Sequence, residues 1–123
     1  MKKEMICDSV GGVGCGLKRV LDLVGGKWKI LILCAMNKYG TIRYGELRRV
    51  IAGITNTMLA QSLKELEADG LIRRTVYGGR PVRVDYDLTD KTEALIPILL
   101  ELQAWGEQNL GTFIHDDTKS HVY

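Results

Sequence analysis

With 123 residues, 46% hydrophobic and 26% charged, the chain has the length and composition of one ordinary globular domain. These values lie far from collagen-like, disordered or membrane classes and leave no room for an enzyme domain joined to a second module. The formal net charge is only +2, but it is unevenly spread. Residues 38–83 hold nine Lys/Arg against four Asp/Glu, whereas residues 84–123 hold two against eight. A basic middle and an acidic end suit a chain that presents its middle to a polyanion.

The longest apolar run, 30–36, is far shorter than a membrane span. The lysines at the N-terminus precede no hydrophobic segment of the secretory kind, so a cytoplasmic protein with no membrane partner is expected. Three cysteines, few and odd in number, point to intracellular thiols rather than a disulfide scaffold.

Gly11, Gly12, Gly14 and Gly16 make residues 1–16 a flexible lead-in, followed by a domain over 17–109 and a mobile tail over 110–123. Leu17, Val20, Leu21 and Val24 fall at helical spacing and stop at Gly25-Gly26. A second helix over 27–38 places Trp28, Leu31, Ile32 and Ala35 on one stripe and Ile30, Leu33 and Cys34 on its neighbour, the pattern of a central core helix. Residues 41–43 fit a short strand.

Residues 42–88 hold the densest pattern. A short helix over 44–50 is followed by the turn Ala52-Gly53-Ile54. A second helix then begins at an N-cap, Thr55, buries Leu59, Leu63 and Leu66, and ends near Gly70. Two strands follow, the second alternating Val82, Val84, Tyr86 and Leu88 with charged residues, joined by Gly78-Gly79-Arg80-Pro81. Helix, turn, helix and hairpin in that order make a mainly α winged helix-turn-helix, a module whose second helix enters the DNA major groove.

Asn56, Thr57 and Gln61, with Thr55, occupy the first turns of that second helix and carry the donors and acceptors that base edges require. Arg43, Lys64, Arg80 and Arg83 flank it or decorate the wing and are candidates for phosphate or minor-groove contacts. The last helical pattern, over 91–109, sets Leu95, Ile98, Leu99, Leu102 and Trp105 on one face and Ile96 and Leu100 on another. Pro97 is placed to kink or divide it. Two apolar stripes exceed what one small domain covers, so a homodimer through the N- and C-terminal helices is expected, with Ile96, Leu100 and Trp105 at its interface.

The runs LDLVGGKWKILIL (21–33), GELRRVIAGIT (45–55), LKELEADGLIRRTVY (63–77) and RVDYDLT (83–89), in this order and spacing, resemble the HxlR-type transcriptional regulators over residues 15–106. The resemblance implies a dimeric bacterial DNA-binding protein of MarR-like architecture, with an inverted-repeat operator as ligand. Gly16, Val82 and Thr92 depart from the family pattern of a proline, a second wing proline and a glycine. It also implies a candidate thiol sensor at Cys15, where the helix dipole together with Lys18 and Arg19 favours a thiolate. Cys7 stands within reach across a glycine-bearing loop, and Cys34 reads as a core thiol.

No cofactor or metal is expected, because no Cys/His cluster has ligand spacing. No nucleophile elbow, phosphate loop or paired acids suggest an enzyme. The alternative is a winged-helix module that meets a protein instead of DNA.

Overall fold

The computed structural model describes residues 10–12 and 14–111. The calls on Cys7 and on the tail beyond 111 lie outside the described residues. The elements run α1 (Gly16–Val24), α2 (Lys29–Tyr39), α3 (Tyr44–Val50), α4 (Asn56–Ala68), β1 (Ile72–Tyr77), β2 (Arg83–Leu88) and α5 (Asp90–Leu110). Among the described residues, no helix is long and apolar enough to cross a membrane.

The core forms where α2, α3, α4, the base of the hairpin and the first half of α5 meet. Ile32, Leu33, Met36, Leu47, Leu59 and Leu66 are almost wholly buried at its centre. Leu59, Leu63 and Leu66 form one stripe of α4, as the helical period requires, and leave the opposite side polar. In α2 the buried face is Ile32, Leu33 and Met36, while Leu31, expected on the inner stripe, is exposed.

The hairpin is antiparallel with Ile72 opposite Leu88 and Tyr77 opposite Arg83. Residues 41–43 contribute one bridge to it, Ile42 to Tyr86, with both backbone hydrogen bonds made. The base of the hairpin lies in the core, and further out only Val84 packs partly buried against it. Val76 and Tyr77 are exposed, so the outer half stands off the body as a wing.

The α1–α2 junction depends on Gly25, whose N–H donates to the Leu21 carbonyl at 2.7 Å. A Cβ there would lie 2.4 Å from the Leu21 carbonyl oxygen, a clash with backbone that no rotamer relieves. The α3–α4 turn depends on Gly53, at φ +82°, in the left-handed region that side chains disfavour. Trp28 packs under this turn, with Cη2 4.0 Å from where a Gly53 Cβ would stand.

Two expectations about α5 are corrected. Pro97 does not divide it: the helix continues through this exposed residue, so the carbonyl that loses its helical partner to the proline lies on the solvent side. Ile96, expected on a free interface stripe, is instead in the core with Leu99 and Thr92. Thr92 shares that buried face, its hydroxyl donating to the Leu71 carbonyl at 2.7 Å. That bond satisfies a polar residue within the buried face, so the inward stripe runs Thr92, Ile96 and Leu99. Leu100 and Trp105 remain exposed, together with Ile98 and Leu102.

In α1 only Val24 is buried. Leu17, Val20 and Leu21 point their apolar surface outward.

Candidate nucleic-acid interface

The start of α4 is fixed by two side chains. Thr55 Oγ1 accepts from the Met58 N–H at 3.1 Å, which caps the helix and leaves the hydroxyl proton available as a donor. Tyr44, the first residue of α3, donates its hydroxyl to Asn56 Oδ1 (2.9 Å) and to the Asn56 carbonyl (3.1 Å). The two helices are thereby joined at the turn, and the Asn56 amide keeps its Nδ2 donors without a partner among the described residues. Thr57 is exposed one residue further on.

Gln61 is not free either, since its Nε2 donates to Glu65 one turn along. Glu65 also pairs with Lys29 of α2 at 2.7 Å. The Lys29 hydrogen bond, then that from Gln61, holds the Glu65 carboxyl below the usual carboxylate range.

The cations fall into two sets. Arg43 and Arg83 converge on Asp85, at 3.8 Å and 3.5 Å, and Arg83 also lies over the Tyr77 ring at 4.3 Å from its centroid. The hairpin register explains the second contact, because Tyr77 and Arg83 are cross-strand partners. Asp85 is only 15% exposed whereas Arg43 and Arg83 are 57% and 45% exposed, so a partly buried anion orients two guanidinium groups that still face solvent. Lys64 and Arg80 form no ion pair within the described chain, and both are exposed.

Sequence reasoning missed Arg74. It shares a shallow groove between α4 and the hairpin with Lys64, Tyr44 and Tyr86, and it too has no ion-pair partner among the described residues. Alternation along the strand could place Arg74 on one face with Ile72 and Val76, but its position opposite Tyr86 follows only from the hairpin register. Its neighbour Arg73 is engaged with Asp87 at 3.0 Å and is held further toward its charged form by that hydrogen bond. The structure therefore brings Thr55, Asn56, Thr57, Gln61 and Lys64 onto the exposed side of one helix, with Arg43, Arg80 and Arg83 on adjoining segments. Ile96, expected at the dimer interface, is withdrawn into the core, and Cys15 is buried as well.

Cys15 stands at the N-cap of α1 as expected, but it is 5% exposed. Lys18, one of its expected cationic neighbours, pairs with Asp22 at 2.9 Å. Cys34 is partly buried against the core, and burial pushes its thiol pKa up, as suits a packing thiol.

Comparison with known proteins agrees with this geometry. The model of the HxlR-like helix-turn-helix family matches residues 23–113. An uncharacterised HTH-type transcriptional regulator of Halalkalibacterium halodurans is 49% identical over 89 residues, covering 72% of this chain and 79% of that protein. Among solved structures, the redox regulator HypR in its oxidised form superposes with a TM-score of 0.72 at 43% identity, covering 77% of this chain and 97% of that one. Reduced YodB from B. subtilis does so with a TM-score of 0.66 at 36% identity, covering 76% and 90%. The winged helix-turn-helix built by residues 42–88 is thus part of a wider likeness, and the chain belongs to the HxlR-like helix-turn-helix family of transcriptional regulators.

Proposed function

We propose that this protein is a sequence-specific DNA-binding regulator, cytoplasmic and without enzymatic activity, that reads an inverted-repeat operator as a homodimer. The observation that carries this reading is the two-sidedness of α4. Its leucines are used up in the core, and its exposed side carries Asn56, Thr57, Gln61 and Lys64 beside a wing bearing Arg80 and Arg83. In this account Thr57, Gln61 and the Asn56 amide contact base edges, and the Thr55 hydroxyl donates to a phosphate. Arg43, Lys64, Arg80 and Arg83 neutralise the backbone on either side.

Dimerisation supplies the second half-site and covers Leu100, Leu102 and Trp105 on α5 and Leu17 and Leu21 on α1. A protein partner is the competing ligand for the same face. The unpaired cations favour DNA over it, since an exposed surplus of positive charge matches a phosphate backbone.

The test is the salt dependence of binding to duplex DNA. Replacing Arg80 and Arg83 with alanine is expected to weaken binding and to make the log-affinity versus log-salt slope shallower by up to about 0.9 per lost phosphate contact. An unchanged affinity and slope removes the wing from the interface.

A second reading concerns control. HypR is described as a redox regulator, and YodB has been crystallised after diamide treatment. By analogy Cys15 is the thiol through which an oxidant or electrophile acts on this chain. Its N-cap position supports the assignment, because a helix N-terminus stabilises a thiolate. Its burial requires α1 to shift before a reagent arrives. Diamide treatment should change operator binding of the wild type and leave Cys15→Ser unaffected; equal responses of the two proteins exclude Cys15 as the control point.

A further inference from the structure

Lys29 is the first residue of α2 and belongs to neither the helix-turn-helix nor the wing. Its ammonium nevertheless reaches α4, 2.7 Å from Glu65 Oε1, while it also donates to the Leu23 carbonyl of α1 at 3.4 Å. The Lys29 side chain is 16% exposed and Glu65 43%. The second Glu65 oxygen, Oε2, accepts from Gln61 Nε2. One carboxylate is thus held by both of its oxygens, on one side by a cation anchored between α1 and α2 and on the other by an amide of the exposed α4 face.

We propose that Lys29 is a positioning residue for base readout, which through Glu65 fixes the amide plane of Gln61 and so sets the base edge that Gln61 selects. This rests on the DNA-reading function proposed above. The terminal torsion of a glutamine is broad and roughly two-fold, so an unrestrained Gln61 offers its donor and acceptor in either order. Beside Glu65 only one order is stable. A flip would turn the Gln61 carbonyl oxygen toward a carboxylate that has no proton to donate.

With one Nε2–H given to Glu65, Gln61 retains one N–H and its Oε1. That donor and acceptor match adenine N7 and the adenine N6 amino group. Lys29 has a second effect. A bare carboxylate on a helix facing DNA repels the phosphates, and the ion pair offsets that charge.

The test uses the full chain and the duplex that it enriches most strongly from random DNA. Affinities are measured for that duplex and for variants changed one base pair at a time, with wild type, Gln61→Ala, Lys29→Met, Lys29→Arg and the double variant Gln61→Ala/Lys29→Met. Gln61→Ala and Lys29→Met should both relax the preference for the same A·T pair in each half-site, by roughly fivefold to a hundredfold, the range for one bidentate contact. Lys29→Arg should retain the preference. Adding Lys29→Met to Gln61→Ala should relax that pair no further.

A Lys29→Met profile that is weaker by the same factor at every position overturns the proposal, because loss of a surface cation alone produces it. If Lys29→Met does not fold, Glu65→Ala decides: relaxation at the Gln61 pair supports the relay, and a wild-type preference there overturns it. The two levels of the account fail differently. A wild type that enriches no motif overturns the DNA reading and this proposal together, whereas a motif with an evenly weakened Lys29→Met profile overturns this proposal alone.

Discussion

The unit spanning residues 42–88 and the two terminal helices spend their apolar residues in opposite ways. In the first, Leu47, Ile51, Leu59, Leu63 and Leu66 all turn inward, and what remains outside is mainly polar or cationic, with Val50, Met58, Val76, Tyr77 and Val82 as single apolar side chains among the charges. In α1 and the distal part of α5, Leu17, Leu21, Ile98, Leu100, Leu102 and Trp105 remain outside. The contrast separates two kinds of ligand. A surface whose hydrophobic demand is met within the chain is left with hydrogen bonds and charge for a polyanion, and a surface whose demand is unmet calls for an apolar partner. Burying several such side chains contributes about 1.5–3 kcal/mol each, enough to hold two copies of the chain together.

The comparison breaks most visibly if the apolar faces are made charged. The double variant Leu102→Glu/Trp105→Glu is expected to keep its helical circular dichroism, to sediment with half the mass of the wild-type dimer, and to lose operator affinity by at least about tenfold, since one half-site no longer tethers the other. A variant that keeps the mass of a dimeric wild type would move the interface off this face of α5, and a monomeric wild type would remove the dimer from the account.

A smaller effect separates the two sides of α5. Ile96→Ala empties part of the core and should cost about 2–5 kcal/mol in denaturant unfolding. Ile98→Ala, two residues on but exposed, should stay within about 0.5 kcal/mol when measured on the monomeric charged variant. Equal costs at the two positions would mean that the inward face of α5 is not the one described.

Much of this architecture was legible in the residues themselves. The leucine spacing of α4, the Thr55 cap, the alternation of β2 and the glycine-bearing turns specify their elements locally, and the structure follows them closely. The phase of α5 was not legible. Apolar residues lie around most of that helix, so period alone does not choose the buried side. The buried side includes Thr92, a residue that reads as outward until its hydroxyl finds the Leu71 carbonyl.

The site divides in the same manner. The exposed placement of its candidate residues on α4 and the wing was legible, but their supports were not. Tyr44 on Asn56, Asp85 between Arg43 and Arg83, and Lys29 on Glu65 each join segments that no local pattern connects. Arg74 escaped for a related reason, since its groove exists only once α4 and the hairpin are packed together.

The central claim is that the polar side of α4 reads DNA sequence, with the terminal helices pairing two copies. Its most direct measurement is selection of bound duplexes from random DNA by the wild-type chain. The account predicts an enriched inverted repeat whose half-site centres lie about one helical turn apart, roughly 10 base pairs or a multiple of it. Recovery of a pool with no enriched motif, from a chain that is folded by circular dichroism, would contradict it and favour a protein as the partner of this face.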